Sequence, residues 1–180
     1  MTTAAPATDV VHVHGTIMFT DIVGFTEFNA LRGDAEALAL LALQERIVRE
    51  ELVPDARIVK DLGDGLMLWF EHARDAIETG LRLQQRFEEE SANVSAPLWV
   101  RIGVHAGRQT CRGDDLLGND VNIASRIMSL ANSGEVLASE ATVQSANGGL
   151  DDVEFERLGP VVMKGIPTPI NLFRAERVGA

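Results

Sequence analysis

An acidic residue stands at the end of the first apolar run, and a glycine and a threonine follow it within five residues. This segment, residues 19–26, reads Phe-Thr-Asp-Ile-Val-Gly-Phe-Thr, with Asp21 at the end of the predicted strand. A carboxylate at this place can hold a metal ion, and the backbone N–H groups of the following helix start can bind phosphate. A plain turn explains the same residues, so other parts of the chain must decide between the two interpretations.

A second acidic residue, Asp64, lies between two glycines and two apolar runs within residues 57–70. Asp-Gly flanked by such runs predicts a β-hairpin, in which Asp64 could serve only as a turn residue. If the hairpin tip lies beside the end of the first strand, Asp64 and Asp21 converge and repel each other unless a cation separates them. Such oxygen ligands suit Mg²⁺ or Mn²⁺. Lys60 is either part of this site or a lysine that extends from a sheet edge into water.

A third segment, residues 115–130, combines a helical pattern with two polar residues suited to nucleotide binding. Asn122 and Arg126 are four residues apart and therefore share one face of the predicted helix. An amide beside a guanidinium can hold a ribose oxygen and a phosphate, whereas a solvated polar face explains the same spacing. The core-facing positions of this helix are predicted to be Ile123, Ile127 and Leu130.

The remaining pattern predicts strands and helices that would position these segments. A strand over Val10–Asp21 precedes a helix over Asp34–Leu52 that has Asp34 as its N-cap. The apolar residues of this helix spread beyond one narrow stripe, which indicates either a deep core or a surface that faces a partner. An amphipathic helix over Ala73–Glu90 and an alternating strand over Pro97–Ala106 follow.

The second half of the chain predicts scaffold elements. His105 is interpreted as a strand residue, because no second His or Cys lies at metal-binding spacing. Ser139 is predicted to cap a short helix. A polar hairpin is predicted over Gln109–Asp114, a strand over Gly134–Ala138 and that helix over Ser139–Ala146. A closing hairpin is predicted from Val153–Leu158 and Ile170–Glu176.

Composition narrows the class of protein. With 180 residues, 46% of them apolar, the chain suits one domain over residues 10–180, after an expected mobile tail over residues 1–9. A net charge of −11 argues against nucleic acid as a partner. The single cysteine, Cys111, excludes an intrachain disulfide and suits a reducing, cytoplasmic location. No apolar run reaches the roughly 18 residues of a membrane span, so no membrane partner is expected.

In their order along the chain, the three segments resemble the catalytic domain of the class III nucleotidyl cyclases, the adenylyl and guanylyl cyclases. The family patterns Phe-x-Asp-Ile-x-Gly-Phe-Thr, Lys-x-x-Gly-Asp and Asp-x-x-Gly-Asn-x-Val-Asn-x-Ala-x-Arg fall on residues 19–26, 60–64 and 115–126. The resemblance covers residues 10–176. It implies an α/β (α+β) fold of the ferredoxin-like palm type, with a central, mostly antiparallel sheet and flanking helices.

The resemblance implies a metal and phosphate site. Asp21, Asp64 and the backbone carbonyl of Ile22 would hold two divalent cations, Mg²⁺ or Mn²⁺, with Ca²⁺ expected only in inactive complexes. Arg126 would stabilise charge on the transferring phosphorus. The other residues expected to contact the triphosphate are Val23, Gly24, Phe25, Thr26, Arg108 and Lys164.

The resemblance also implies how the nucleoside is bound. Lys60 would donate to N1 of adenine, Asp115 would accept from its 6-amino group, and Asn122 would orient the ribose. Guanylyl cyclases of the family usually carry glutamate and a small residue at the first two positions. Asp114 precedes Asp115, and the spacing to the following Gly-Asn favours Asp115 as the base-reading residue.

The implied reaction converts ATP to 3′,5′-cyclic AMP and pyrophosphate at two sites shared by a head-to-tail homodimer. The hairpin over Gly107–Asp115 is shorter than the arm with which many relatives clasp their partner, which places dimer strength in doubt. Three alternatives stay open: a guanylyl cyclase, a non-catalytic nucleotide-binding or dimerisation module, and a diguanylate cyclase. The Gly-Gly-Asp/Glu-Glu-Phe signature of the last is absent from the sequence.

Overall fold

The computed structural model describes residues 10–92 and 98–179, in which eight strands form one sheet flanked by five helices. The elements in chain order are β1 (His12–Ile22), α1 (Phe25–Arg32), α2 (Asp34–Glu51), β2 (Ala56–Asp61), β3 (Gly65–Phe70), α3 (Ala73–Ser91), β4 (Val100–Arg112), β5 (Asp115–Leu117), α4 (Asn119–Leu130), β6 (Val136–Ser139), α5 (Glu140–Ala146), β7 (Val153–Val161) and β8 (Ile170–Arg177). The tail expected over residues 1–9, and Pro97, lie outside the described residues. Within those residues, no helix is both long enough and apolar enough to cross a membrane.

The sheet has the strand order β2-β3-β1-β4-β6-β8-β7, and β5 pairs with β4 beside this path. Only the pairing of β4 with β6 is parallel among the described strands. The first four strands, with α1 and α2 after β1 and α3 after β3, form a β-α-β-β-α-β unit of the ferredoxin-like type. The expected fold class, a mostly antiparallel sheet with flanking helices, is confirmed.

Alternation along β1 divides the core between the two faces of the sheet. Met18 and Ile22 pack with the apolar residues of α2, α3 and α5 on one face. Ile17 and Phe19 pack with α4 and β5 on the other face. Because alternate residues of a strand share a face, Asp21 lies on the same face as α4. The strand therefore carries its acidic end residue towards the helix predicted to bind nucleotide.

Helix α2 begins and ends close to the predicted residues, but its cap is different. Gly33, with φ +85°, is the N-cap, and Asp34 is already the first helical residue, so the prediction of Asp34 as the cap was wrong. Helix α1 ends at Arg32, directly before Gly33, and the positive φ of this glycine lets the chain turn between the two helices. On α2, Ile47 and Val48 are buried whereas Leu38 is 64% exposed, so the apolar residues serve both core and surface.

Strand β4 extends beyond its predicted end at Ala106. Its second half pairs with the first residues of β1, including His14 with Arg108, and then with β5. The predicted hairpin over Gln109–Asp114 is therefore shifted along the chain, because β4 and β5 pair over Thr110–Leu117 around a tight turn at Gly113, whose φ is +59°. Long-range pairing with β1 supplies the ladder that the local pattern could not show.

The interior of α4 is buried as predicted, but its last residue is not. Ile123 and Ile127 are buried, whereas Leu130 is 47% exposed. Leu130 is the final helical residue, and the chain turns away into an extended conformation at Ala131. Three other predictions are confirmed. Helix α3 corresponds to the helix predicted over Ala73–Glu90, and β7 and β8 form the closing hairpin. The Ser139 side chain caps α5 by accepting from the Thr142 N–H.

Candidate active site

Asp21 and Asp64 are brought together by the pairing of β1 with the β2–β3 hairpin. The N–H of Ile22 donates to the Asp64 carbonyl at 2.9 Å, and Asp21 lies opposite Gly65 in the ladder. A Cβ at residue 65 would lie 2.1 Å from the Thr20 carbonyl oxygen, so glycine permits this close approach of the hairpin. The two predicted acidic residues therefore meet at one end of the sheet.

The pKa of the Asp21 carboxyl group is raised above its ordinary value, chiefly by burial. Burial raises the pKa of Asp21, a hydrogen bond from Arg101 lowers it, and the negative charge of Asp64 raises it again. The bond runs from Arg101 Nε to Asp21 Oδ2 at 2.8 Å, because β4 places the two residues directly opposite each other. Two neighbouring acidic groups with one guanidinium favour a further cation.

The oxygen donors at this corner fit a divalent metal ion. Asp21 and Asp64 supply carboxylates, and Ile22, which follows Asp21 directly and bonds to the Asp64 carbonyl through its N–H, has a peptide carbonyl of its own. In the part of the chain that the structure describes, no three His, Cys, Asp or Glu side chains gather as a metal site. Mg²⁺ is commonly held by one or two carboxylates with the remaining oxygens from phosphates and water, which is the arrangement these residues can offer.

Lys60 and Asp115 form a second cluster. Lys60 Nζ donates to Asp115 Oδ2 at 2.6 Å, and the N–H of Leu116 donates to Oδ1 of the same carboxylate at 2.9 Å. The bond from Lys60 holds the pKa of Asp115 below its ordinary value. The Asp114 carbonyl accepts from Arg57 Nη1 at 3.0 Å, and its exposed carboxylate makes no hydrogen bond or ion pair within the described residues. The hairpin between β4 and β5 therefore presents Asp115, and not Asp114, to Lys60.

Helix α4 presents Asn122 and Arg126 on its exposed face. Within residues 10–92 and 98–179, neither side chain makes a hydrogen bond or an ion pair, so both can reach a ligand. The helix packs closely on β4, because a Cβ at Gly103 would lie 2.1 Å from the Met128 backbone nitrogen. The close contact fixes the distance of the helix from the sheet and leaves the two polar side chains outward.

The residues expected to contact the triphosphate fall in three places. Gly24, with φ +73°, is the N-cap of α1, so the segment 23–26 forms a turn and the start of a helix. Lys164 is exposed in the turn region between β7 and β8. Arg108 lies seven residues along β4 from Arg101, a separation of about 23 Å on an extended strand, so this chain does not bring it to Asp21. All three assignments stay predictions.

Sequence reasoning did not assign a role to Arg101, although it lies at the candidate site. The alternating strand predicted over Pro97–Ala106 includes Arg101 but does not show what lies beside it. The missing information was the register of β1 against β4, which sets Arg101 opposite Asp21. Arg101 Nη1 also reaches the Ser129 carbonyl at 3.4 Å, so its guanidinium joins the acidic corner to the end of α4.

His105 is expected to make stability depend on pH. It is 6% exposed, and burial lowers its pKa, with Asp120 partly opposing the shift. In the unfolded chain the His105 imidazole has its ordinary pKa of about 6.5. As the pH falls below that value, the unfolded state binds the proton more readily than the folded state, so the folded state is disfavoured. The free energy of unfolding should fall more between about pH 7 and pH 5 for the wild type than for His105→Gln. Urea denaturation at both pH values measures this, and equal pH slopes would contradict it.

Comparison with known proteins identifies the class of this domain. The family model of the adenylate and guanylate cyclase catalytic domain matches residues 9–175. The chain therefore belongs to this family of nucleotidyl cyclase catalytic domains.

Individual relatives agree with this assignment. The chain is 29% identical over 165 residues to a pH-sensitive adenylate cyclase of Mycobacterium tuberculosis, covering 90% of this chain and 40% of that protein. It is 32% identical over 139 residues to an adenylate cyclase of Streptomyces griseus, covering 77% of this chain and 34% of that protein. The chain thus spans less than half the length of these relatives. A solved structure of an adenylate cyclase from Trypanosoma brucei, described in its monomeric state, matches with a TM-score of 0.80 at 25% identity, covering 93% of this chain and 89% of that one.

Proposed function

We propose that this domain is an adenylyl cyclase that converts ATP to 3′,5′-cyclic AMP and pyrophosphate. The observation that carries the proposal is the contact of 2.6 Å between Lys60 Nζ and Asp115 Oδ2. An ammonium donor beside a carboxylate acceptor matches N1 and the 6-amino group of adenine. The names of the relatives from M. tuberculosis and S. griseus support the same nucleotide. Because ATP is the proposed substrate, we place the domain in the cytoplasm.

In the proposed reaction, the ribose 3′-oxygen attacks the α-phosphorus of ATP and forms a new P–O bond. The bond from that phosphorus to the oxygen of the β-phosphate breaks in line, and pyrophosphate leaves with the electron pair. Divalent cations held by Asp21, Asp64 and the Ile22 carbonyl would supply Lewis acidity and neutralise phosphate charge. We assign no protein side chain as the base that receives the hydroxyl proton.

The polar side chains would divide the remaining tasks. Arg126 would place a permanent positive charge where negative charge develops on the transferring phosphoryl group, and this contact would stabilise the transition state. Asn122 would hold the ribose so that its 3′-oxygen faces the phosphorus. The N–H groups of residues 23–26 would bind the triphosphate at the start of α1. Lys164 and Arg108 would add further contacts to the phosphates.

We infer that the complete site forms between two copies of the chain arranged head to tail. Asp21 and Asp64 form one cluster, at the end of β1 and the tip of the hairpin between β2 and β3. Lys60 lies on β2, a strand about 10 Å from β1 in the sheet, and bonds to Asp115 on β5 to form a second cluster. One copy would supply the acidic corner, and its partner would supply the base-reading pair with Asn122 and Arg126. Because each chain carries both sets, a two-fold dimer would contain two equivalent sites.

An exchange of the base-reading pair should shift nucleotide preference. In Lys60→Glu with Asp115→Cys, the ammonium donor and the carboxylate acceptor for adenine are both removed. We expect kcat/KM for ATP to fall at least about tenfold, since each lost charged hydrogen bond corresponds to about 1.5–3 kcal/mol. The measurement compares initial rates with ATP and GTP, using Arg157→Ala as a control on the other half of the sheet. Unchanged ATP turnover would remove this pair from base recognition.

The direct test incubates the purified protein with Mn²⁺ and either ATP or GTP and identifies the product chromatographically. Formation of cyclic AMP with little cyclic GMP supports the proposal. Cyclic GMP as the main product would show that Lys60 and Asp115 do not select adenine. Nucleotide binding without any cyclic product would instead favour the non-catalytic alternative.

A further inference from the structure

A chain of polar contacts joins α4 to β4 and to α5, and none of its side chains has a role in the site described above. His105 lies buried in the middle of β4, with Nδ1 2.7 Å from Ser139 Oγ and Nε2 3.4 Å from Asp120 Oδ1. The Ser139 hydroxyl lies 2.9 Å from Thr142 Oγ1, and that oxygen also accepts from the Ala106 N–H at 2.9 Å. Ser139 and Thr142 are fully buried as well.

Both nitrogens of the imidazole face polar oxygens. The Thr142 hydroxyl donates to the Val104 carbonyl at 3.3 Å, and the Thr142 N–H donates to Ser139 Oγ at 3.3 Å. The single hydrogen of the Ser139 hydroxyl has two neighbours to which it can be donated, His105 Nδ1 and Thr142 Oγ1. When Nδ1 accepts it, the neutral imidazole carries its own hydrogen on Nε2, which then faces the Asp120 carboxylate.

Asp120 lies in the first turn of α4 and is held against β4 at a second point. Its Oδ2 accepts from the Arg108 N–H at 2.6 Å. A Cβ at Gly107 would lie 2.1 Å from the same oxygen, so only glycine at this place leaves room for the carboxylate. The first turn of α4 is therefore tied to two neighbouring parts of β4 through one side chain.

We propose that Asp120 and His105 are positioning residues for catalysis, which fix the start of α4 so that Arg126 and Asn122 reach the bound nucleotide. Asn122 and Arg126 follow Asp120 by two and six residues on the same helix. Asp120 acts through the helix, and His105 acts through Asp120. The inference rests on the proposed cyclase activity, because it assigns a task to residues that support its reactive side chains.

A double-mutant cycle between Asp120→Ala and Arg126→Ala tests the proposal in the purified full chain, with radiolabelled ATP and Mn²⁺. In the chain that keeps Arg126, Asp120→Ala should lower kcat roughly 10-fold to 30-fold, because a charged hydrogen bond that orients the helix is lost. In the chain that already carries Arg126→Ala, the same change should lower kcat clearly less, because only the placement of Asn122 is then left to lose and residues that act as a unit are non-additive. Equal losses in the two backgrounds would overturn the proposal, because a general structural defect would act in both.

Two further variants and one control keep the test independent of folding. Gly107→Ala leaves the charge of Asp120 intact but displaces its carboxylate from β4. Like Asp120→Ala, it should therefore lower kcat. Asp120→Asn keeps an acceptor for the Arg108 N–H and should lose less activity than Asp120→Ala. Asp34→Ala removes an exposed carboxylate from the first turn of α2 and should leave kcat unchanged within about twofold.

The outcomes separate this inference from the proposed function. If the wild type forms no cyclic nucleotide, the proposed function fails. If the wild type is active but the cycle is additive and Gly107→Ala behaves as the wild type, the positioning role fails alone. Thermal unfolding of each variant verifies that the compared proteins are folded.

Discussion

Asp64→Asn is expected to lower kcat with ATP and Mg²⁺ at least about 100-fold, equivalent to ~3 kcal/mol of barrier. The proposed site has only the carboxylates of Asp64 and Asp21, with the Ile22 carbonyl, to hold its cations. The amide keeps the shape of the side chain but removes one of the two negative charges. Initial rates over a range of Mg²⁺ concentrations measure the loss.

The same substitution should leave the fold intact. Burial is the main cause of the raised pKa of Asp21, and the charge of Asp64 adds to it. The two acidic groups therefore repel each other in the free protein, and the amide relieves that repulsion. The melting temperature should therefore be unchanged or slightly higher, while binding of Mn²⁺, followed by its electron paramagnetic resonance signal, becomes weaker.

Asp61→Asn provides the matched control for Asp64→Asn. Asp61 lies in the same hairpin, where Oδ1 accepts from the Gly63 N–H at 2.8 Å, a contact that asparagine can retain. Asp61→Asn should keep near wild-type turnover and Mn²⁺ affinity. If Asp64→Asn matched the wild type in both measurements, its carboxylate would have no place in the metal site.

Arg126→Ala is expected to lower kcat about 100-fold to 1,000-fold, or ~2.7–4 kcal/mol, with a smaller change in KM for ATP. The guanidinium is exposed on α4 and has no partner within the described residues, so its removal should not disturb packing. A group that acts mainly on charge in the transition state affects kcat more than ground-state binding. Arg157→Ala, an exposed arginine on β7, is the control, and a turnover number unchanged from the wild type would exclude Arg126 from this role.

Mixing two inactive variants tests whether the site spans two chains. In a head-to-tail dimer of one Asp64→Asn chain and one Arg126→Ala chain, one site receives both mutations and the other receives neither. Statistical mixing makes half of the dimers mixed, each with one intact site of two, so activity should return to about a quarter of the wild type. A site built within one chain would regain nothing on mixing.

Much of this architecture could be predicted locally. The helix expected over Ala73–Glu90 is found over Ala73–Ser91, and the hairpin around Asp64 is present, because amphipathic periodicity and Asp-Gly turns act over short separations. Predictions failed where distant chain segments compete with local signals. The second half of β4 was interpreted as a polar hairpin because its pairing partner is the start of β1, and the exposed end of α4 depends on where the chain leaves the core.

The amino-acid sequence by itself determined the family, most of the strands and helices, and the residue types that can bind metal, phosphate and purine. Only the tertiary structure decided that Arg101 bonds to Asp21 across 80 positions of the chain, and that Asp115 meets Lys60 across 55. It also decided that His105 is joined to Asp120 and Ser139. The physical reason is that a shift of one residue in strand register moves every side chain to the opposite face of the sheet, so these contacts depend on long-range pairing.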